Sequence, residues 1–272
     1  MHASAPLVFE NRQNQTIRGL RIAGTPDNCI LLRNCRNITI EQCELGPASG
    51  EAVHLISCTS ITLRQLKARD VRSGVYAVDS HAIAVNSCQF LNMQGPMPRG
   101  QFVQFDKVTG PGSQITSNTF TNQAGLSHPE DAINLYMSSG TSESPILVAA
   151  NTISGGGPSP SGGGIMCGDH GGENIVVREN ILRDPGQYGI AIAGGQHIQL
   201  LNNQISARSQ PFTNVGIYVW SQSPGRCGAH TVRGNTVSWF NKDGVRNSGW
   251  NADTCGPIQG WDENNWNAPA PE

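Results

Sequence analysis

The sequence predicts an all-β fold, a parallel β-helix in which short strands stack coil upon coil. Three observations lead there. Charged residues make up only 14% of the 272 and glycine is abundant at 32 residues, a composition suited to short strands joined by tight turns. A repeat of about 23 residues runs along the chain, and asparagines recur at one position within it.

The repeat is visible by self-comparison. CRNITIEQCELGPASGEAVHLIS (35–57) and CTSITLRQLKARDVRSGVYAVDS (58–80) align without a gap, and NIVVRENILRDPGQYGIAIAGGQ (174–196) matches their length and pattern. Nine segments share one pattern: TIRGLRI, ITIEQCEL, ITLRQLKA, IAVNSCQF, QITSNTF, ILVAANTI, IVVRENIL, IQLLNNQI and HTVRGNTV. Alternation of period 2 over three to five residues reads as strand. Strands this short gain stability by pairing in parallel with their counterparts in the next unit. About nine coils result, in a single domain 1–272 with a lead-in at 1–15, coils over 16–249 and a cap or tail at 250–272.

Asn118, Asn151, Asn180, Asn203 and Asn235 fall at one turn position, occupied earlier by Leu20, Cys43, Leu66 and Cys88. Inward-pointing amides that bond their neighbours' backbone satisfy a tight turn inside a coil. With this ladder the chain resembles the single-stranded right-handed parallel β-helix superfamily that includes pectate lyases and polygalacturonases. The resemblance implies that the asparagine turn separates the second and third sheets, and that a substrate groove lies on the outer face of the first. Its groove strands here are CILLR, AVHLI, GVYAV, FVQFD, AINLY, GIMCG, GIAIA, GIYVW and GVRNS.

Period 2 sorts the residues of those strands. Ile30, Val53, Val75, Val103, Ile133, Ile165, Ile190, Ile217 and Val245 are expected inside, together with Leu32, Leu55, Ala77, Phe105, Leu135, Cys167, Ile192, Val219 and Asn247. The outward pairs then include His54/Ile56, Tyr76/Val78, Gln104/Asp106, Asn134/Tyr136, Met166/Gly168, Ala191/Ala193 and Tyr218/Trp220. Gly168, Ala191 and Ala193 read as a low floor between Tyr136 and Tyr218 with Trp220, either open to a sugar ring or packed under a loop.

Three long loops, MQGPMPRGQ, TNQAGLSHPED and SGGGPSPSGG, precede groove strands of adjacent coils. Long loops on a rigid scaffold are where function concentrates. They bring Arg99, His128, Glu130 and Asp131 toward Asp106, Lys107, Asn134, Tyr136, Asp169 and His170.

This cluster can staff a β-elimination of the kind performed by lyases of that superfamily. Lys107 or His170 is the candidate base and Tyr136 the candidate acid. Arg99, or a calcium ion held by Asp106, Glu130 and Asp131, neutralises the uronate carboxylate. Arg99, Gln104, Asn134, His128, Tyr76, Tyr218 and Trp220 are the candidate substrate-binding residues. HPEDAIN also resembles the DDxI stretch of polygalacturonases, with Glu130 and Asp131 at the acidic positions. That pattern is incomplete, with Gln101 and Gly163 where the family has aspartate and histidine.

The leading expectation is a polysaccharide lyase acting on an acidic, uronate-containing polymer. A glycoside hydrolase built on Asp106, Asp131 and Asp169, a C5-epimerase, and a non-catalytic glycan-binding or spike module are the alternatives. The partner is a polysaccharide or oligosaccharide.

A net charge of −2 and a pI near 6.4 argue against broad nucleic-acid binding. No apolar run is long enough for membrane insertion. A secreted, periplasmic or cell-surface setting is expected, although MHASAPLVFE is not an export signal. A further N-terminal segment or another chain is expected to cap the open first coil. Cys227 and Cys255, about one coil apart, are candidates for a disulfide, and Cys35 with Cys58 either for another or for small buried hydrophobes.

Overall fold

The computed structural model describes residues 1–269; the last three residues of the expected 250–272 tail lie outside the described residues. The repeated apolar-x-apolar segments pair in parallel with their counterparts one repeat later, which gives three sheets of ten strands. On the sheet expected to carry the groove, called the groove sheet below, the strands run Leu7–Glu10, Ile30–Arg33, Val53–Ile56, Val75–Val78, Val103–Asp106, Ile133–Tyr136, Ile165–Asp169, Tyr188–Ile192, Val215–Val219 and Gly249–Asn251. In that order they are rungs one to ten.

Register follows the apolar columns. Val53, Val75, Val103, Ile133, Ile165, Ile190 and Ile217 pair in sequence. They and the second column from Leu32 to Val219 are fully buried. A slip of one residue would turn every one of these side chains to solvent, so burial fixes the pairing.

Two boundaries differ from expectation. The rungs number ten, because the expected lead-in already carries His2–Ala3, Leu7–Glu10 and the start of Gln13–Arg18, each paired to the next rung. GVRNS is not a groove strand. Phe240 and Arg246 bridge in antiparallel fashion, and the Asn241 side chain accepts the N–H groups of Asp243 and Val245. This closes a fold-back that leaves Val245, expected inside, 59% exposed. The tenth rung comes a few residues later, where Tyr218 pairs with Trp250.

The asparagine ladder is continuous from Asn118 to Asn235. Each Oδ1 accepts both the backbone N–H and the Nδ2 of the asparagine one rung earlier. Asn264, which the repeat pattern does not mark, extends it by one step. At the other end the N–H of Cys88 donates to Asn118, and Cys88, Leu66 and Cys43 fill the same turn as buried apolar groups.

The last coil is closed by a short 3-10 turn, Trp261–Glu263, with Trp261 and Trp266 packed 4.6 Å apart against the core. Trp250, expected in that cap, instead sits on the outer face of the groove sheet. Cys227 and Cys255 form a disulfide with Cα atoms 4.6 Å apart, whereas Cys35 and Cys58 are free and buried. No helix among the described residues is long and apolar enough to cross a membrane.

Candidate functional site

The site is built where rungs five to seven meet the three long loops. On rung six, Asn134 and Tyr136 face outward, as period 2 requires. On rung seven the alternation breaks. Gly168 adopts φ +68°, a conformation that suits glycine, and it is skipped in the pairing, so that Tyr136 aligns with Asp169. A Cβ at Gly168 would also lie 2.2 Å from the carbonyl oxygen of Gly194. The bulge places Asp169, rather than the expected Gly168, on the groove face.

Asn134 joins two carboxyl groups. Its Nδ2 donates to Oδ2 of Asp131 at 2.9 Å and to Oδ2 of Asp169 at 3.1 Å. The two acceptor oxygens are therefore no farther apart than the sum of those lengths. Gln104, from rung five, donates to Oδ1 of Asn134 at 3.4 Å and continues the polar row.

Asp131 is buried, and its Oδ1 accepts the Tyr188 hydroxyl and the Gly163 N–H. Burial pushes its carboxyl up to about 7, against the opposing pull of the Tyr188 and Asn134 hydrogen bonds. Burial likewise raises the Tyr188 phenol well above its ordinary range. Gly163 is required by contact, since a Cβ there would lie 2.6 Å from the Tyr188 ring.

Tyr188 belongs to a small second core on the outside of the groove sheet, with Met166, Ala191, Ala193, Val215 and Tyr218. Tyr188 and Tyr218 meet edge to face at 5.3 Å, and the Tyr218 hydroxyl accepts a 2.7 Å bond from Gln222. Ala191 and Ala193 are covered, at 0% and 1% exposure. The alanine floor is packed under side chains and is not open to a sugar ring. Tyr218 belongs to that packing, whereas Trp220 stays 43% exposed.

The open side carries Asp169 and Tyr136, both half-buried, and His170, exposed, whose ring lies 5.1 Å from that of Tyr136. Of the expected site residues, Asp131, Asn134, Asp169, Tyr136, His170 and Gln104 therefore come together.

The others do not join them. Lys107 faces Asp106 and Asp79 at 3.9 and 4.0 Å. Asp106 accepts the Tyr76 hydroxyl, and the Arg99 guanidinium lies 3.9 Å over the Tyr76 ring. Arg99 also approaches the fully buried Glu51, which is held by Arg72 at 2.6 Å. His54 stacks on Tyr76 at 4.8 Å, and burial pushes its imidazole down. These residues form a second polar cluster on rungs three to five, in which Glu51 and Arg72 carry no mark in the sequence pattern, whereas His54 faces outward as period 2 requires.

His128 is exposed on a loop rim with Met97, Pro129 and Pro160. Glu130 is bound by the hydroxyls of Ser159 and Ser161, which ties two of the long loops together.

The expected calcium set is not assembled: among the described residues the carboxylates of Asp106, Glu130 and Asp131 do not gather within 4.8 Å of one another, and this donor set does not fit the ion. Among the described residues, three metal-type donors lie within 4.8 Å of one another at Cys227, His230 and Cys255. Two of them are closed in the disulfide. His230 Nδ1 accepts the Ile198 N–H, so Nε2 carries the proton and faces the Cys227 sulfur at 3.4 Å. A metal-binding imidazole has the reverse arrangement.

The three parallel sheets and the asparagine ladder define a right-handed parallel β-helix protein. The family described as "Right handed beta helix region" matches residues 7–155 and 105–237, and the chain belongs to it. No curated protein matches it.

Among solved structures, the catalytic domain of a GH87 α-1,3-glucanase, solved with tetrasaccharides, is similar with a TM-score of 0.54 at 12% identity. That match covers 92% of this chain and 54% of that one, so this chain spans about half its length. A tailspike protein of E. coli bacteriophage HK620, solved with a hexasaccharide, matches at TM-score 0.48 and 11% identity, over 90% of this chain and 53% of that one. The mannuronan C-5 epimerase AlgE4 A-module of Azotobacter vinelandii matches at TM-score 0.46 and 13% identity, over 98% and 90%. At these identities the likeness is one of fold.

Proposed function

We propose that this chain is a carbohydrate-active enzyme that cleaves a glycosidic bond by hydrolysis, in a polymer laid along the groove sheet, with Asp131 and Asp169 as its carboxyl pair. The observation that carries this reading is the single amide of Asn134 shared between the two carboxyl groups. Glycoside hydrolysis needs one carboxyl that keeps its proton near neutrality and a second that acts as base or nucleophile. Asp131, raised to about 7 by burial, is assigned the proton. Asp169, on the open groove face, is assigned the second role. Below the Asp131 pKa the pair bears at most one negative charge, which lets the two groups stay close. The GH87 glucanase, bound to tetrasaccharides, is an instance of the same fold carrying a glycan.

A second reading rests on a different observation. Tyr136 and His170, in ring contact beside Asp169, have the acid and base chemistry for β-elimination or C5-epimerisation of a uronate. Incubation with α-1,3-glucan, polygalacturonate and alginate separates the two. New reducing ends without an unsaturated, ultraviolet-absorbing product support hydrolysis, whereas an unsaturated product overturns it in favour of elimination. Loss of turnover in Asp169→Asn and in Asp131→Asn ties the reaction to the pair, and full activity in either variant removes that residue from the mechanism.

A further inference from the structure

Five tryptophans are present, and the fold uses three of them. Trp239 is fully buried, and Trp261 and Trp266 close the last coil. Trp220 and Trp250 remain 43% and 46% exposed. They meet edge to face, with centroids 6.0 Å apart, on the outer face of rungs nine and ten.

Their backbone is fixed without help from the indoles. The Ser221 N–H donates to the Thr254 hydroxyl at 2.9 Å, tying the segment after Trp220 to the segment after Trp250. Asn251 and Asp253 bond each other twice, side chain to side chain and side chain to backbone, and hold the turn beyond Trp250. Two rigid aromatic faces thus stand open to solvent on the sheet that carries Asp169. They begin two rungs beyond it, about 10 Å at parallel-strand spacing.

We propose that Trp220 and Trp250 form a distal binding subsite for a sugar ring of the same glycan, stacking against its C–H face. The inference rests on the carbohydrate reading above and adds to it a direction and a length. The glycan runs across the sheet toward the last coil, and a chain must extend past the covered alanines to reach the subsite. Exposed indoles suit this role because they offer a large apolar face with a polar N–H, at little conformational cost. The neighbouring Gln222, exposed beside Trp220, offers its side-chain carbonyl to ring hydroxyls while its amide N–H is given to Tyr218.

Binding is measured on Asp169→Asn, which removes turnover, by affinity gel electrophoresis in α-1,3-glucan, polygalacturonate and alginate. Trp220→Ala and Trp250→Ala are then added singly and together. The polysaccharide that retards Asp169→Asn is expected to bind the double tryptophan variant roughly tenfold or more weakly, with partial recovery in Trp220→Phe. An unchanged thermal midpoint excludes misfolding, as the exposed positions lead one to expect.

Retardation undiminished in the double variant overturns the subsite and leaves the hydrolysis reading untouched. Tryptophan-dependent retardation with no turnover by the unsubstituted protein supports the subsite and removes the hydrolysis reading. Retardation by none of the three polymers overturns the subsite.

Discussion

The phenol of Tyr188, on rung eight, donates to Oδ1 of Asp131, in the loop before rung six. This bond stabilises the ionised carboxyl against the burial that drives it toward neutrality. Tyr188→Phe removes the donor and keeps the ring. The Asp131 pKa is expected to rise further above 7, and the upper limb of the pH–activity profile to move with it. The protein loses about 1–3 kcal/mol of stability at pH values where Asp131 is charged, to be read from denaturation curves against the unsubstituted chain.

The same carboxyl makes stability depend on pH in a defined direction. Its folded pKa, about 7, lies above that of a free aspartate, near 3.9, so the folded state binds the proton more tightly. The contribution is fully present below about pH 4 and is lost as pH rises through 7. The difference in stability between the unsubstituted protein and Asp131→Asn should therefore change across this window by as much as ~4 kcal/mol, in the sense that the unsubstituted chain loses ground as pH rises. A flat difference would show that Asp131 titrates normally.

Activity should share this window. If Asp131 delivers the proton, turnover falls as pH rises through about 7. His170 is exposed on the rim, its ring tilted against that of Tyr136, so His170→Gln is the control. The limb is expected to persist in that variant under hydrolysis, and its disappearance overturns its assignment to Asp131.

The ladder offers a test of the scaffold independent of the site. Asn180 Oδ1 accepts two bonds from Asn151, and its Nδ2 donates to the Val148 carbonyl and to Asn203. Asn180→Ala leaves the buried Asn151 N–H without a partner and removes the bonds that the amide gives to the Val148 carbonyl and to Asn203, a loss of about 3 kcal/mol or more. Asn264→Ala, at the end of the ladder, breaks fewer bonds between rungs and should cost less. Calorimetry of both variants ranks them.

The parts of this fold legible in the sequence are those governed by short periods. The columns from Val53 to Ile217 follow from alternation, and the asparagine ladder from one recurring turn residue. Misplaced residues sit where the period breaks. Gly168 at positive φ shifts the parity by one and brings Asp169 into the groove. The fold-back at Phe240–Arg246 displaces the tenth rung and takes Trp250 out of the cap. Tyr188 has the parity of an inside residue, two before Ile190, yet at the head of its strand it turns outward to Asp131. Glu51, Arg72 and Arg99 meet from loops of different coils, and no local pattern records such a meeting.

Gly163 is the position where contact between loop and site is tightest. It gives its N–H to Asp131 at 3.1 Å while the Tyr188 ring covers its Cα, so that an added Cβ would lie 2.6 Å from the ring carbons. Gly163→Ala leaves all three donors to Asp131, from Tyr188, Gly163 and Asn134, chemically intact and only forces the ring away. The expected result is a shift in the same direction as in Tyr188→Phe, with the upper pH limb moved upward, and a destabilisation of about 1–3 kcal/mol from overpacking. In the double variant Gly163→Ala/Tyr188→Phe the two effects should fall short of additive, because both act through the one bond from the phenol to Asp131. Strict additivity of the stability and pH-profile changes would show that Gly163 and Tyr188 reach the carboxyl independently.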